Sequence, residues 1–488
     1  MTADAVWQAL HNLRQRDLPA HGGRALSSVF DSGIAEAEQL GREVLASFAG
    51  TDGGDTGAYP SWIRMEQDLL ALASRLLDGP LSVVGNVTSG GSESAFLAVQ
   101  AARDARPDLV RPTVVLPVSA HPCYLQAARY LRVEPVLVDV DPESCRADVA
   151  AVAGAVTDRT VLVVASAPSP ALGVVDHVPE IAALADSRGI RCHVDAGLGG
   201  WLLPYLSDDG PDPDRDPDAE PVPRVTPAYS FAVPGVTSIS VDLHRYAYTP
   251  KGASVLLHRT AELRRPQLFA SAGGFGLPLV GSTTQATRSG GPLAAAWAVT
   301  RFLGDHNYAR LAGSVRTGAD AIAAGVESFP NIRLLARPDA GVLTVVAAPG
   351  LCDVFTVSDE LASRGWQVQP QLSFGAIPPT LRLVLSAATV PRVPEFLDAL
   401  KASVKTATGA GTVRLPRQLV AAIRTLDLRT FDDTVLDQLL PMVGIDPRGA
   451  LMLPERMAPV HAMLDVASGR VRQELLVALV DRQSRPRG

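Results

Sequence analysis

The segment Ser240-Val-Asp-Leu-His-Arg-Tyr-Ala-Tyr-Thr-Pro-Lys-Gly252 decides how this 488-residue sequence is interpreted. It is a short polar segment that ends in a proline and a glycine, directly before the apolar run 253–257. It carries two cations six residues apart, Arg245 and Lys251. An arginine stays protonated at any accessible pH and has no free amine lone pair, whereas a buried lysine can lose its proton. In this segment Lys251 can therefore act as a nucleophilic amine, whereas Arg245 cannot.

Length, composition and charge are those of an ordinary globular protein. The chain is longer than one hydrophobic core usually serves, so we expect two or three domains, or one large α/β domain with additions. Hydrophobic residues make up 47% of the sequence and the formal net charge is −7. Because the chain is not basic, we expect no nucleic-acid partner.

The cysteines and the apolar runs indicate the cellular compartment of the chain. Scattered cysteines without a CxxC spacing argue against a structural zinc site and against a disulfide framework. No apolar run reaches the ~18 residues of a membrane span, and residues 1–18 do not form a signal peptide. We therefore expect a reduced, cytoplasmic setting without a membrane span. The four cysteines are Cys123, Cys145, Cys192 and Cys352.

A glycine-rich turn at residues 83–94 (Val-Val-Gly-Asn-Val-Thr-Ser-Gly-Gly-Ser-Glu-Ser) follows a β-branched run and precedes a helical pattern. Free N–H groups and the positive end of the dipole make a helix start an anion site, and glycines let a phosphate approach closely. Gly90, Gly91 and Ser92 are thus candidate phosphate ligands. Alternatively the segment is only a turn with Ser92 as the helix N-cap.

Two polar residues stand at the ends of apolar runs typical of strands. His121 follows the run 113–118, and open parallel sheets bind ligands beyond the carboxyl ends of their strands. Asp195 closes the run 190–195, where a buried carboxylate needs a cationic partner. The simpler alternatives are a solvated loop histidine and an aspartate that caps a turn or a helix.

The order of helical and strand patterns predicts an α/β protein with four regions. The segment 208–223 is acidic, rich in proline and devoid of core residues, so it predicts a mobile surface insertion or, because it precedes residues 240–252, a lid. Helical patterns at 415–424, 434–440 and 459–482 predict a mostly helical tail. The predicted regions are an N-terminal helical arm (1–57), a large domain (58–310), a small α/β domain (311–408) and a C-terminal tail (409–488).

Five motifs, taken together and in order, resemble the group II decarboxylases that use pyridoxal 5'-phosphate (PLP), most closely the sphingosine-1-phosphate lyase branch. This resemblance implies an aspartate-aminotransferase-like fold, fold-type I, with a mainly parallel sheet in a large PLP-binding domain. It also implies a homodimer whose N-terminal arms wrap the partner subunit. The motifs are Thr88–Ser94, Ser119-Ala-His121, Ser166-Ala-Pro with Gly173, His193-Val-Asp-Ala with the following Leu-Gly-Gly, and Ser240–Gly252.

The resemblance also assigns roles to residues. It places the cofactor phosphate on the glycine-rich loop, His121 on the face of the pyridine ring and Asp195 at the pyridine nitrogen. The segment 288–291 (Arg-Ser-Gly-Gly) resembles a loop that reaches the neighbouring active site, so Arg288 is either a substrate-anion contact or a surface arginine. The implied cofactor contacts are Gly90, Gly91, Ser92, His121, Ser166, Asp195, Ser240 and His244.

The chain departs from the family at its most important position. Where the family has His-Lys, with the lysine forming the Schiff base to PLP, this chain has His244-Arg245. The Asn-Pro-Leu-His motif that the family carries before residue 59 is also missing. An arginine cannot form the Schiff base, so the family's reactions, decarboxylation and retro-aldol cleavage of small amines or amino acids, lack their usual catalyst.

Three hypotheses remain for the chemistry. In the first, the chain is an active carbon–carbon lyase in which Lys251 takes over the amine chemistry. In the second, PLP is held noncovalently, with Arg245 as a clamp for a substrate anion and His121 in the catalytic site. In the third, the chain is a non-enzymatic relative that binds a ligand or partner. A lysine deliberately changed to arginine would give the same sequence.

Overall fold

The computed structural model describes residues 1–19, 21–206, 226–274, 276, 279–285, 287–446 and 453–485. The expected insertion 208–223 lies outside the described residues. The helices are α1 (Ala3–Leu13), α2 (Ala35–Ser47), α3 (Pro60–Leu76), α4 (Gly91–Asp104), α5 (Cys123–Leu131), α6 (Val149–Ala155), α7 (Val178–Ser187), α8 (Ala261–Arg264), α9 (Gly290–Glu327), α10 (Val354–Ser363), α11 (Val393–Ala410), α12 (Arg417–Arg424), α13 (Asp433–Leu439), α14 (Ala458–Val466) and α15 (Gly469–Gln483).

The strands of the described residues form three sheets. They are β1 (Val84–Thr88), β2 (Thr113–Pro117), β3 (Glu134–Val138), β4 (Thr160–Ser166), β5 (Arg191–Asp195), β6 (Val236–Asp242), β7 (Ser254–His258), β8 (Phe269–Ser271), β9 (Leu279–Gly281), β10 (Ile332–Leu334), β11 (Val342–Ala347), β12 (Gln369–Gln371) and β13 (Thr380–Val384).

A seven-stranded sheet in the order β1-β7-β6-β5-β4-β2-β3 forms the centre of the molecule. Strand β7 runs antiparallel to both of its neighbours, and the remaining strands are parallel. Its inner strands read as continuous apolar runs, because helices cover both faces of a parallel sheet. All seven residues of β4 are buried, for example. The parallel strands therefore bring their carboxyl ends, and the loops that follow them, to one edge.

A smaller antiparallel sheet, β10-β11-β13-β12, packs with α10 and α11 after the long helix α9. The helical pattern of the sequence predicts a helix over 293–304 in this stretch. Gly304 does leave helical geometry, with φ +60°, but the chain resumes its helical course and α9 reaches Glu327. The large and small domains are thus joined by one kinked helix.

Helices α12 to α15 pack around a hydrophobic cluster of their own, which includes Leu436, Met463 and Leu475. The pattern 459–482 is divided between two helices, because Ser468 caps α15 with its hydroxyl and ends the continuity with α14. Within the described ranges, no helix is long and apolar enough to cross a membrane. All four cysteines are buried and carry free thiols.

Candidate active site

Two adjoining cavities lie at the carboxyl edge of the large sheet. They share His121, Pro170, His244 and Arg245. The inner cavity, about 330 Å³, is further lined by Ser89, Gly90, Gly91, Ser92, Glu93, Cys123, Pro168, Asp195, Leu198 and Asp242. The outer cavity, about 520 Å³, is further lined by Ser27, Ser28, Phe30, Val118, Ser119, Ala120, Pro122, Ala171, Lys251, Gln369, Gln371, Phe374 and Arg382.

The glycine-rich loop forms one wall of the inner cavity. Helix α4 begins at Gly91, and the N-cap position is Gly90, which has no side chain to cap the helix. The alternative of Ser92 as the N-cap is therefore wrong, and the first N–H groups of α4 have no acceptor inside the helix. The Glu93 carboxylate instead accepts a hydrogen bond from the Ser89 N–H at 2.7 Å, which fixes the loop. Free N–H groups at the start of a helix can bind an anion.

Asp195 ends β5 inside the protein, and the accessible part of its side chain faces the inner cavity. Its Oδ1 accepts a hydrogen bond from the Gly197 N–H at 3.0 Å. Burial raises the pKa of this carboxyl, and the nearby His121 opposes the shift. Among the described residues no basic side chain forms an ion pair with it, so the cavity favours a cationic group at this carboxylate.

Two histidines border both cavities. His121 follows β2, as expected, and its Nδ1 accepts a hydrogen bond from the Cys123 N–H at 3.2 Å, which places the proton of the neutral ring on Nε2. The Nδ1 of His244 is buried without a hydrogen-bond partner in the described structure. Burial lowers the pKa of both imidazoles, so both are neutral at pH 7.

Arg245 is fixed at the junction of the two cavities by Asp242. Its Nε lies 2.9 Å from Asp242 Oδ2, and the Asp242 side chain is only 3% exposed. The Ser254 hydroxyl donates to the other carboxylate oxygen at 2.6 Å. Sequence reasoning missed Asp242, although an acidic residue that ends an apolar run three positions before a cation could have indicated it. The Asp242 carboxylate therefore neutralises the charge of Arg245 on the side of the inner cavity.

Lys251 lies farther out than Arg245. It is exposed and lines the outer cavity, whereas the residues that line the inner cavity, all of them described, include no lysine. The turn that ends in Gly252 has φ +113° at that glycine, so the chain turns away directly after Lys251. The geometry gives no support to Lys251 as a substitute for a lysine at position 245.

Ser166 and Ser240 lie beneath the cavities rather than in their lining. The Ser240 hydroxyl is 3.2 Å from Nε2 of the buried His193. The N–H of Ser166 donates to the buried Asp176 carboxylate at 2.8 Å, and the Ser166 hydroxyl has no partner among the described residues. Both serines therefore support the floor of the site.

The outer cavity joins three regions of the chain. The arm contributes Ser27, Ser28 and Phe30, and the small domain contributes Arg382 among others. Sequence reasoning missed these residues, because no local motif connects the arm and the small domain to the large domain.

Arg288 packs inside its own chain, so the expectation of a surface arginine is wrong. Its guanidinium lies over the Trp62 ring, 4.1 Å from the centroid. Its Nη2 donates to the Val87 carbonyl at 2.7 Å and pairs with Glu66 at 3.2 Å, and only 14% of the side chain is exposed. Neither cavity includes it in its lining.

Two family models match parts of the chain. The DegT/DnrJ/EryC1/StrS aminotransferase family matches residues 84–199, which include the glycine-rich loop, His121 and Asp195. The model of a C-terminal putative HTH domain of pyridoxal-dependent enzymes matches residues 417–482.

Three comparisons that each cover at least three quarters of the chain match sphingosine-1-phosphate lyases. A sphingosine-1-phosphate lyase of Dictyostelium discoideum is 33% identical over 375 residues, which cover 76% of this chain and 67% of that protein. A sphingosine-1-phosphate lyase of Arabidopsis thaliana is 31% identical over 83% of this chain and 70% of its own length. The solved structure of a sphingosine-1-phosphate lyase from Burkholderia pseudomallei superimposes with a TM-score of 0.76 at 28% identity, covering 88% of this chain and 95% of that one.

Proposed function

The chain belongs to the sphingosine-1-phosphate lyase family of PLP-dependent fold-type I enzymes, and we propose that it cleaves a carbon–carbon bond of a small amine while holding PLP noncovalently. PLP is the cofactor of this family, and when bound it supplies an electron sink for the electron pair left by the broken bond. The observation that carries the proposal is Asp195, a partly buried carboxylate in the lining of the inner cavity that forms no ion pair with any described residue.

The inner cavity fits each part of PLP. The N–H groups at the start of α4 would hold the phosphate, since Gly90 and Gly91 leave room for its close approach. A Cβ added at Gly90 would meet no atom within 4 Å, so the loop is open where a phosphate needs space. Asp195 would hold the protonated pyridine nitrogen, and His121 also lines this cavity.

In this proposal Arg245 binds the substrate and His121 contacts the reacting group. Arg245 cannot anchor the cofactor, but its guanidinium, oriented by Asp242, attracts an anionic group of the substrate at the junction of the cavities. His121, as a neutral imidazole that carries its proton on Nε2, can donate that proton in a hydrogen bond to a reacting group in the cavity. The bond that breaks joins the amine carbon either to a carboxylate, which gives decarboxylation, or to a hydroxylated carbon, which gives retro-aldol cleavage. Both reactions remain candidates.

Product analysis tests this proposal. We expect purified protein with excess PLP to release carbon dioxide or an aldehyde from at least one member of a panel of amino acids and phosphorylated amino alcohols. The matched control is the same reaction without PLP, which should give no product. Absence of product from protein that is saturated with PLP would contradict the lyase proposal.

One observation favours a second candidate, a relative that binds its ligand without catalysis. The Arg245–Asp242 pair occupies the place where a catalytic amine would stand, and the lining of the inner cavity has no lysine. The same product analysis separates the candidates, because this second candidate predicts PLP binding with no turnover of any amine.

We also propose that the chain forms a homodimer through its N-terminal arm. Helix α1 has no buried residue, and its apolar side chains Val6, Trp7, Leu10 and Leu13 are exposed. Sedimentation equilibrium should give twice the chain mass, and a variant without residues 1–19 should shift toward the monomer. A monomeric full-length chain at micromolar concentration would contradict this proposal.

A further inference from the structure

We propose that the C-terminal tail helps to set substrate affinity, because its residues Asp465 and Arg472 hold one segment of the outer cavity wall in place. The segment comprises residues 371–374 and is named the wall segment. Both tail residues are positioning residues, since they act on a bound substrate only through the wall segment. The inference rests on the proposed function, which brings a substrate to this cavity.

The wall segment contacts the cavity and the tail at the same time. Gln371 and Phe374 line the outer cavity. Leu372, between them, packs against both the main hydrophobic core and the tail's own cluster. Strand β12 ends at Gln371, so the main-chain groups that follow must find hydrogen-bond partners outside the small sheet. The tail supplies these partners at Ser373.

All three hydrogen-bonding groups of Ser373 bond to the tail. Its N–H and its hydroxyl both donate to Asp465 Oδ1, each at 2.7 Å. Its carbonyl accepts a hydrogen bond from Arg472 Nη1 at 3.0 Å. Hydrogen bonds to charged groups stabilise more than those between neutral groups. Two tail residues therefore fix the main chain directly beside Phe374.

Arg472, on α15, also fixes the end of α14. Its Nε donates to the Leu464 carbonyl at 2.9 Å, and its Nη2 donates to the Asp465 carbonyl at 3.1 Å. A cation is favourable at the carboxyl end of a helix, where these carbonyls lie. The same Nη2 lies 3.7 Å from the Asp465 carboxylate, and each of the two side chains is 20% exposed. One arginine thus joins α14, α15 and the wall segment.

The start of α14 is anchored on helix α10 of the small domain. The buried Asp359 carboxylate accepts hydrogen bonds from the N–H groups of Met457 and Ala458, each at 2.9 Å. These N–H groups belong to the first turn of α14, which has no acceptor for them inside the helix. Because the start of the helix is fixed, Asp465 near its end has a defined position against the wall segment.

The turn after the wall segment meets the large domain. Phe374 and Ile377 exchange two main-chain hydrogen bonds, at 3.1 and 2.9 Å, and Gly375 between them has φ +51°. A Cβ at Gly375 would lie 3.2 Å from Asp139 Oδ1 and 3.3 Å from Val118, which also lines the outer cavity. The wall segment is therefore held between the tail and the large domain, and loosening the tail contact frees one side of the cavity lining.

Hydrogen exchange of the full chain without PLP, measured by mass spectrometry, tests the contact itself. Arg472→Met keeps an unbranched apolar side chain and removes every hydrogen bond of the guanidinium. We expect residues 371–377 to exchange about tenfold faster in this variant, the scale of one or two lost hydrogen bonds, while α12 and α13 exchange as in the native chain. The control is Arg470→Met, at an exposed position of the same helix, which should exchange like the native chain throughout.

Kinetics and binding test the effect on the cavity. With excess PLP, the KM of an amine that the native chain cleaves should rise about fivefold in Arg472→Met, whereas kcat and PLP affinity should not change. Succinate, whose carboxylates can pair with Arg245, probes the outer cavity without turnover, and its affinity should fall by a similar factor. Arg472→Lys, which keeps the charge and loses the fork of donors, should give intermediate values.

The outcomes separate this inference from the proposed function. Native exchange of residues 371–377 in Arg472→Met would overturn the inference, and so would faster exchange with unchanged KM and succinate affinity. Faster exchange throughout the tail would also overturn it, because Arg472 would then act through tail stability. Faster exchange confined to residues 371–377, with a raised KM and native kcat, would support it. If the native chain cleaves no amine, the proposed function fails, and exchange together with succinate affinity still decides the inference.

Discussion

The inner and outer cavities share a wall but differ in how they are assembled. The inner cavity is made almost entirely by short loops at the carboxyl ends of parallel strands, and most of its residues lie in the motifs of the family, with Arg245 as the departure. The outer cavity combines the arm, the large domain and the small domain, and Arg382 comes from a strand 137 positions beyond Arg245. Under the proposed function the inner cavity would hold the cofactor and the outer cavity would bind the substrate, so cofactor binding and substrate choice would have separate structural origins. Changes to one cavity should therefore leave the other largely intact.

The largest effect should follow from Asp195→Asn. An asparagine has nearly the same shape but cannot stabilise a protonated pyridine nitrogen, so turnover should fall about 10²- to 10³-fold, the scale for losing one preorganised electrostatic partner. Steady-state kinetics at saturating PLP measures the loss, and succinate affinity, which reports on the outer cavity, should not change. Equal losses of turnover and of succinate affinity would contradict the independence of the two cavities.

A matched pair of glycine substitutions tests the inner wall. A Cβ at Gly91 would lie 2.8 Å from Asp242 Oδ1, so Gly91→Ala should displace the Asp242–Arg245 pair and cost about 1–3 kcal/mol of unfolding free energy. Gly90→Ala has space for its methyl group within the protein, so it should cost less than ~0.5 kcal/mol. It should still weaken PLP binding about tenfold, because the methyl group intrudes where the phosphate approaches.

Denaturant unfolding and PLP titration of both variants give these values. If Gly90→Ala binds PLP as tightly as the native chain, the phosphate does not lie against this loop.

These substitutions also show what the sequence could predict. Gly90, His121 and Asp195 were accessible to sequence reasoning, because each lies in a local motif at a strand end and the strand order brings such ends together. Asp242 was missed, because its role depends on an ion pair formed only when the strand end and the following turn fold. Arg382 was missed for another reason, since only the tertiary packing of the small domain brings it to the cavity.

A smaller effect is expected from the tail, which touches the wall of the outer cavity. Asp465 Oδ1 accepts hydrogen bonds from both the N–H and the hydroxyl of Ser373, each at 2.7 Å, directly beside Phe374. Asp465→Ala should loosen this wall and weaken succinate binding roughly threefold, as expected for contacts worth about 1 kcal/mol, without changing PLP affinity.

The control for the tail is Asp481→Ala, which removes an acid of α15 that is 69% exposed. Calorimetry should show no change in this variant. Equal effects of the two substitutions would mean that Asp465 acts through tail stability and not through Ser373.

Two buried histidines in the sheet that carries both cavities should make the stability of the protein depend on pH. Burial lowers the pKa of His193 to about 3 and that of His258 to about 4. Between pH 6.5 and 4 the unfolded chain binds protons that the folded chain excludes, so stability falls as the pH falls. Each histidine contributes up to about 1.4 kcal/mol per pH unit.

Denaturant unfolding at pH 7, 6 and 5 measures this slope. His258→Gln should flatten it, whereas His11→Gln, at an exposed position of α1, should not. An unchanged slope in His258→Gln would mean that His258 takes up its proton in the folded state.

We propose that the inner cavity holds PLP without a covalent anchor, and one experiment tests this most directly. The absorption of the native chain and of Arg245→Lys is recorded with PLP, before and after borohydride reduction, and the reduced lysines are identified by peptide mass mapping. We predict reversible PLP binding without a reduced adduct in the native chain, and an adduct on the new lysine in Arg245→Lys. An adduct on Lys251 of the native chain, or failure of both proteins to bind PLP, would contradict the claim.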